Sequence, residues 1–312
     1  MTTDCSPTVD ASRQATSRTP LADLALLLVT LIWGSTFVMV KDAVASYPVS
    51  SFLALRFSFA ALALLPLVLI RRRRLAPLGG VRRAAILRGA IAPLLIGVAL
   101  FAGYGFQTVG LQQTTPAKAG FITGLAVVLV PLVSGFVLHQ APGRNAWIGV
   151  GLALAGLALL TLHADLRISS GDLLVLACAV AFAAHILLTG RFAPSHDPLV
   201  LTMGQILVVI ILSGITALGK QAPPLTRQVV FAAAFTGVLA TSAAFGIQTL
   251  AQRFTTTTHT ALIFAAEPVF AALFSFLLIG EALGTRQLVG CGLILAGMIV
   301  AEIKLGSERP HA

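Results

Sequence analysis

Ten apolar stretches, each of roughly the 20 residues a helix needs to cross about 30 Å of hydrocarbon, dominate this chain. They fall near 22–41, 50–70, 89–110, 117–138, 146–163, 171–190, 199–219, 228–250, 259–279 and 286–304. In lipid every backbone N–H and C=O must find a partner within the chain, so a succession of this kind folds as membrane-spanning helices. The breaks between stretches carry Pro, Gly or charge, as at Tyr47-Pro48, Pro142-Gly143, Ser169-Ser170-Gly171, Pro194 to Pro198 and Pro223-Pro224. Composition agrees: 10% of residues are charged, against about 25% in soluble chains. The expectation is an all-α integral membrane protein of ten transmembrane helices with no soluble domain.

The chain also repeats itself. Sliding it by 141 residues pairs Gln107-Thr108 with Gln248-Thr249, Thr114-Thr115 with Thr255-Thr256, and GVGLALAG at 149–156 with GCGLILAG at 290–297. Sixteen of the fifty positions from 107 to 156 are identical to their mates, which marks an internal repeat of about half the protein. The first helices match at an offset of 149, pairing Asp23-Leu24 with Asp172-Leu173 and Arg56 with Gln205. Five spans per copy is an odd number, so the second copy enters the membrane upside down. The chain divides into a disordered tail at 1–20, a first five-helix repeat at 21–163, a second at 171–304 and a short tail at 305–312. Inverted repeats of this kind are a plan of secondary transporters, with the solute site near the midplane between the halves.

The net charge of +10 does not point to nucleic acid. Seven of the 21 basic residues lie in the loop from Arg71 to Arg88, without aromatic residues or a binding motif among them. With the N-terminus in the cytoplasm, inside segments hold 14 Lys and Arg and outside loops hold 5 (Lys41, Arg167, Lys220, Arg227, Arg286), which places both termini inside. Cys5, Cys178 and Cys291 have no metal spacing, and the six histidines form no catalytic motif. No cofactor is expected, and no enzyme activity. The competing class, a polytopic membrane enzyme or a sensor that moves no solute, requires ligands clustered at one interface or a large extramembrane surface.

Ionisable side chains at membrane depth cost at least about 2.5–3.5 kcal/mol and usually face a wet cavity or a partner. Arg56, Lys118, His185, His259 and Glu267 stand in such positions, Lys118 and His259 at equivalent places in the two copies. Glu267 precedes Pro268, which can kink the ninth helix by freeing a carbonyl one turn earlier. Trp33, Ser35, Tyr104, Gln107, Gln205 and Gln248 supply aromatic and hydrogen-bonding groups. Such groups also bond helix to helix. As a cavity lining they suit a small zwitterionic or polar organic solute. Arg56 or Lys118 would attract its carboxylate, and Glu267 or His185 would titrate or pair with a cation. Gly149 and Gly156, and Gly290 and Gly297, lie on one face of the fifth and tenth helices, and are assigned to close packing or to a dimer contact.

The segments WGSTFVMVK (33–41), FLALRFSFAAL (52–62), GLQQTTPAKAGFITGLAVVLVPL (110–132) and AAEPVFAALFSFLLIGEALGTRQLVGCGLILAG (265–297) together resemble the EamA-type permeases of the drug/metabolite transporter superfamily. The resemblance runs from residue 22 to 304. It implies ten helices, cytoplasmic termini, a bacterial inner-membrane location, and export or exchange of small metabolites such as amino acids, by a monomer or homodimer. The family's Gly-Glu pair after the fourth helix of each half is present as Gly280-Glu281, while the first half reads His139-Gln140 at that place.

Overall fold

The computed structural model describes residues 20–75, 83–114, 116–137, 142–161, 169–280 and 283–302, and within them the side chains of all but 37–38, 72–75, 83–89, 116–118, 137, 275, 278–279 and 302. The tails (Pro20 excepted), most of the arginine loop, His139-Gln140, Glu281 and the side chain of Lys118 lie outside the described residues.

The described residues are helical, with no strand. In order they form α1 (Pro20–Ser46), α2 (Val49–Leu75), α3 (Arg83–Leu111), α4 (Pro116–Gly124), α5 (Ala126–Val137), α6 (Arg144–Thr161), α7 (Ser170–Phe192), α8 (Pro198–Ala217), α9 (Arg227–Gly237), a π-helical turn (Val238–Ala243), α10 (Ala244–Ala251), α11 (Thr257–Phe264), α12 (Glu267–Ile279) and α13 (Thr285–Glu302). The polar breaks read from sequence become caps. Ser169 and Asp172 make a reciprocal capping box at α7, Asp197 caps α8 ahead of Pro198, and Thr226 and Thr256 cap α9 and α11. Among the described residues eight helices or helix pairs are long and apolar enough to span a membrane. At the two remaining expected places stand α1, bent by 44° between Thr36 and Met39, and the shorter apolar helix Thr285–Ala301.

Packing is exchanged between the halves. α2 lies against α8 and α6 against α13, each pair being one helix and its own repeat mate, and α5 of the fourth span lies against α11 of its mate, the ninth span. The contact of α3 with α7 recurs as α10 with α1, and that of α3 with α8 recurs as α2 against α9 and the π turn. Consecutive helices such as α1 and α2 barely touch. The glycines of α6 and α13 close one crossing: a Cβ on Gly156 would stand 2.5 Å from the Gly290 carbonyl, and one on Gly149 2.5 Å from that of Gly297. The reverse distances are 2.7 and 2.6 Å. These glycines are therefore spent inside the chain, which corrects the expectation that left a dimer contact open for them.

The fourth and ninth spans are both broken, and in the same way. The N–H of Leu125 donates to Ile122 (3.1 Å), and Leu125 accepts from Val128 (2.9 Å) and Leu129 (3.1 Å). At 141 residues further on, Ala266 donates to Ile263 (3.0 Å) and accepts from Val269 (3.0 Å) and Phe270 (3.2 Å). A turn of tighter i→i+3 bonds thus interrupts each span at matching residues. The first-half turn has no proline at the place of Pro268, since Pro131 comes later, inside α5. Pro268 is accommodated by a break common to both halves and is not its cause.

The ends are tied by short-range polar pairs that also recur. Thr255 donates to Asp23 (3.4 Å), and its mate Thr114 donates to Asp172, the mate of Asp23. Arg71 at the end of α2 pairs with Asp197 at 2.8 Å, while its mate Lys220 reaches only Ser50 at 3.5 Å. Partial burial opposes the charge on Asp197, but the Arg71 hydrogen bond and the N–H groups of Val200 and Leu199 outweigh it and hold the carboxyl below its ordinary value.

Candidate functional site

Arg56 is the organising residue. It sits two turns into α2 and is 3% exposed. A buried guanidinium must have its donors taken, and here Nε donates to Thr241 Oγ1 at 2.8 Å and Nη2 to the Tyr104 hydroxyl at 3.1 Å. Its central carbon lies 4.7 Å from the centroid of the Tyr104 ring and 5.9 Å from that of Phe57, so two π-faces share the charge. The opposite charge comes from Glu267, the first residue of α12, which interacts electrostatically with Arg56, Tyr104 and Cys178. Glu267 is half-buried at the N-terminus of its helix.

Aromatic rings pack around Arg56. The Trp33 ring lies 4.9 Å from Phe264 and 5.5 Å from Phe245, and its Nε1 donates to the carbonyl of Ala240 at 2.8 Å. Tyr104 meets Phe57 and Phe182 edge-on, both at 5.5 Å. His185 and Gln205 form a neighbouring buried pair at 2.8 Å, with His185 also edge-on to Phe245 at 5.4 Å. Among the described residues the Gln205 amide nitrogen has no hydrogen-bond partner.

Of the ten residues expected from sequence, the structure brings Trp33, Arg56, Tyr104 and Glu267 together, with His185 and Gln205 adjoining through Phe245. Three others hydrogen-bond within the protein. Ser35 donates to the Ile32 carbonyl of its own helix, and Gln107 donates to Thr123 at 3.5 Å. Gln248 donates to Gln252, which in turn donates to the carbonyl of Ile186 and so ties α10 to α7. Of Lys118 only the backbone, within α4, is described. Sequence reasoning missed the wall residues Phe182 and Phe245. The repeat carried the signal, since Phe182 is the mate of Trp33 and Phe245 the mate of Tyr104. Among the described residues no three His, Cys, Asp or Glu side chains converge as metal ligands.

The model of the EamA-like transporter family matches the chain twice, over residues 20–162 and 169–302. The chain belongs to that family. This member resembles an uncharacterized transporter of Archaeoglobus fulgidus at 34% identity over 287 residues, 91% of this chain and 86% of the relative. It also resembles the uncharacterized transporter YyaM of Bacillus subtilis at 24% identity, over 89% of this chain and 92% of that one. The uncharacterized inner membrane transporter YedA of Escherichia coli K12 matches at 29% over 161 residues, 51% of this chain and 50% of YedA. A crystal structure 22% identical in sequence superposes with a TM-score of 0.77 over 92% of this chain and 99% of that one, a likeness of fold. This EamA-like chain is thus a multi-pass membrane transporter.

Proposed function

We propose that the protein carries small zwitterionic metabolites, amino acids and related compounds, across a bacterial inner membrane by secondary transport, as an exporter or exchanger. The observation that carries this reading is the buried guanidinium of Arg56 held among aromatic rings, with the Glu267 carboxyl in its electrostatic reach. A guanidinium offers forked donors to a carboxylate, a glutamate accepts an ammonium, and the rings contact an apolar side chain. Trp33 and Tyr104 shape the pocket, and His185 with Gln205 borders it. The units at 21–163 and 171–304 rock about this centre, alternating its access, and both termini stay in the cytoplasm. Repeat mates differ in burial in support of that alternation: Gln248 and Thr255 are buried, whereas Gln107 and Thr114 are half-exposed. The transporter works in the bilayer as a monomer or homodimer, without nucleic acid.

The test is counterflow of radiolabelled amino acids into proteoliposomes. L-Alanine and larger neutral amino acids are expected to exchange, and Arg56→Gln and Glu267→Gln to lower the rate at least about tenfold, the loss of a charge-assisted hydrogen bond. Unchanged exchange in both variants would refute the reading.

A further inference from the structure

The two halves match at an offset of 141 from Tyr104 and Phe245 onward, but at 140 just before. Packing identifies the mates there. A Cβ on Gly97 would meet the Gln205 carbonyl at 2.9 Å and Val208 Cβ at 2.6 Å, while one on Gly237 would meet the Arg56 carbonyl at 2.4 Å and Phe59 Cβ at 2.9 Å. Arg56 and Phe59 are the mates of Gln205 and Val208, so Gly237 is the mate of Gly97. The second half therefore holds one residue more between this glycine and the following aromatic. Setting Leu239 aside aligns Gly97-Val98-Ala99 with Gly237-Val238-Ala240. The surplus residue is absorbed in the π turn, the ordinary fate of a single insertion in a helix.

That turn accepts the bond of Trp33 and one of the two bonds of Arg56. The N–H of Ala244 goes to the carbonyls of Leu239 and Thr241, which leaves the Ala240 carbonyl for Trp33 Nε1. The Thr241 hydroxyl donates five residues back to Thr236 at 3.1 Å, so its lone pairs face outward and accept from Arg56 Nε. In the first half α3 runs unbroken over the matching residues, Leu100 stands where Thr241 does, and Gln205 and Phe182 replace Arg56 and Trp33.

We propose that the inserted residue Leu239, through the π turn it creates, is a positioning residue that determines solute specificity by seating Arg56 and Trp33. Leu239 is itself 39% exposed and has no place in the site. The inference rests on the reading that Arg56 receives the solute carboxylate, and the test separates the two. It uses the full-length protein with Trp147→Phe, which leaves Trp33 as the single tryptophan. Three changes are compared in proteoliposomes: deletion of Leu239, Thr241→Val and Thr241→Ser. The deletion restores α-helical phase and is expected to keep helicity and a cooperative melt. Its Trp33 emission shifts as the indole N–H loses its acceptor, and KM for L-alanine counterflow rises about tenfold or more with Vmax within about twofold. Thr241→Val raises KM likewise and Thr241→Ser restores it.

A folded deletion variant with the parent's Trp33 emission and KM would overturn the proposal. So would a deletion variant that fails to fold, because the turn would then hold no surplus residue. If the parent exchanges no amino acid but the deletion still shifts Trp33 emission, the zwitterion reading fails and the seating role of the turn stands.

Discussion

Alanine in place of Gly156 should weaken the protein, while alanine at Gly151, on the same helix, should strengthen it. A methyl group at Gly156 would stand 2.5 Å from the Gly290 carbonyl oxygen and 2.8 Å from the Ile294 nitrogen, both backbone atoms that cannot turn aside. Relief to about 3.3 Å, the shortest comfortable carbon–oxygen separation, needs α6 and α13 to part by nearly 1 Å. A gap of that size forfeits about a quarter to a half of each dispersion contact along the crossing. Overpacking of this kind costs about 1–3 kcal/mol, set against up to about 1 kcal/mol gained from the helix propensity of alanine. The net loss is therefore up to about 2 kcal/mol. At Gly151 and at Gly292 on the partner helix nothing lies within 4 Å of the added carbon, so only the gain remains. Denaturation of the purified protein in mixed micelles, followed by helical circular dichroism, should separate the two substitutions by the overpacking cost, about 1–3 kcal/mol, since the propensity gain is common to both. Equal or higher stability of Gly156→Ala relative to Gly151→Ala would refute the close-packing argument.

Asp197→Ala should cost about 1 kcal/mol from the lost cap and up to about 1 more from the exposed pair with Arg71; Asp197→Asn keeps the cap and loses only the pair. Since the folded carboxyl titrates below its ordinary value, its contribution is present above the unfolded value of about 3.9 and is lost as pH falls through the lower folded value. A pH series of the same unfolding measurement on the parent and the alanine variant should converge only in that acid range. Pro268→Ala should keep transport within about twofold, because the first half makes the same break without a proline there; loss of transport with a straightened ninth span would show that the proline imposes it. In a background without the three native cysteines, Ser46→Cys and Gln221→Cys should react with an impermeant thiol reagent on intact cells and Ser195→Cys should not. Any other pattern overturns the assigned orientation.

Most of the architecture was legible because it is written in periodic, additive signals: span length and the offset of 141. The offset could also have given the aromatic wall, had each aromatic been traced to its mate. The slip from 140 to 141 was not legible, because one residue among alanines and valines changes hydropathy by nothing a sequence scan can weigh. Only the backbone contacts of Gly97 and Gly237 reveal it. The hydrogen bonds of Gln107 to Thr123 and of Gln248 to Gln252 were equally hidden. A glutamine in lipid must find a partner, but whether that partner is a solute or Gln252 depends on where a neighbouring helix happens to pass.

Arg56 and its acceptor Thr241 stand 185 residues apart, on helices made early and late. At ribosomal speeds of about 5–20 residues per second, roughly 10–40 s pass between the emergence of the two. For that interval the second helix carries a buried-to-be cation with no Thr241 to meet it, and α6 waits for α13 with its glycine face bare. The nascent first half must therefore be sheltered, or tilt its arginine toward the lipid headgroups, until translation delivers the rest.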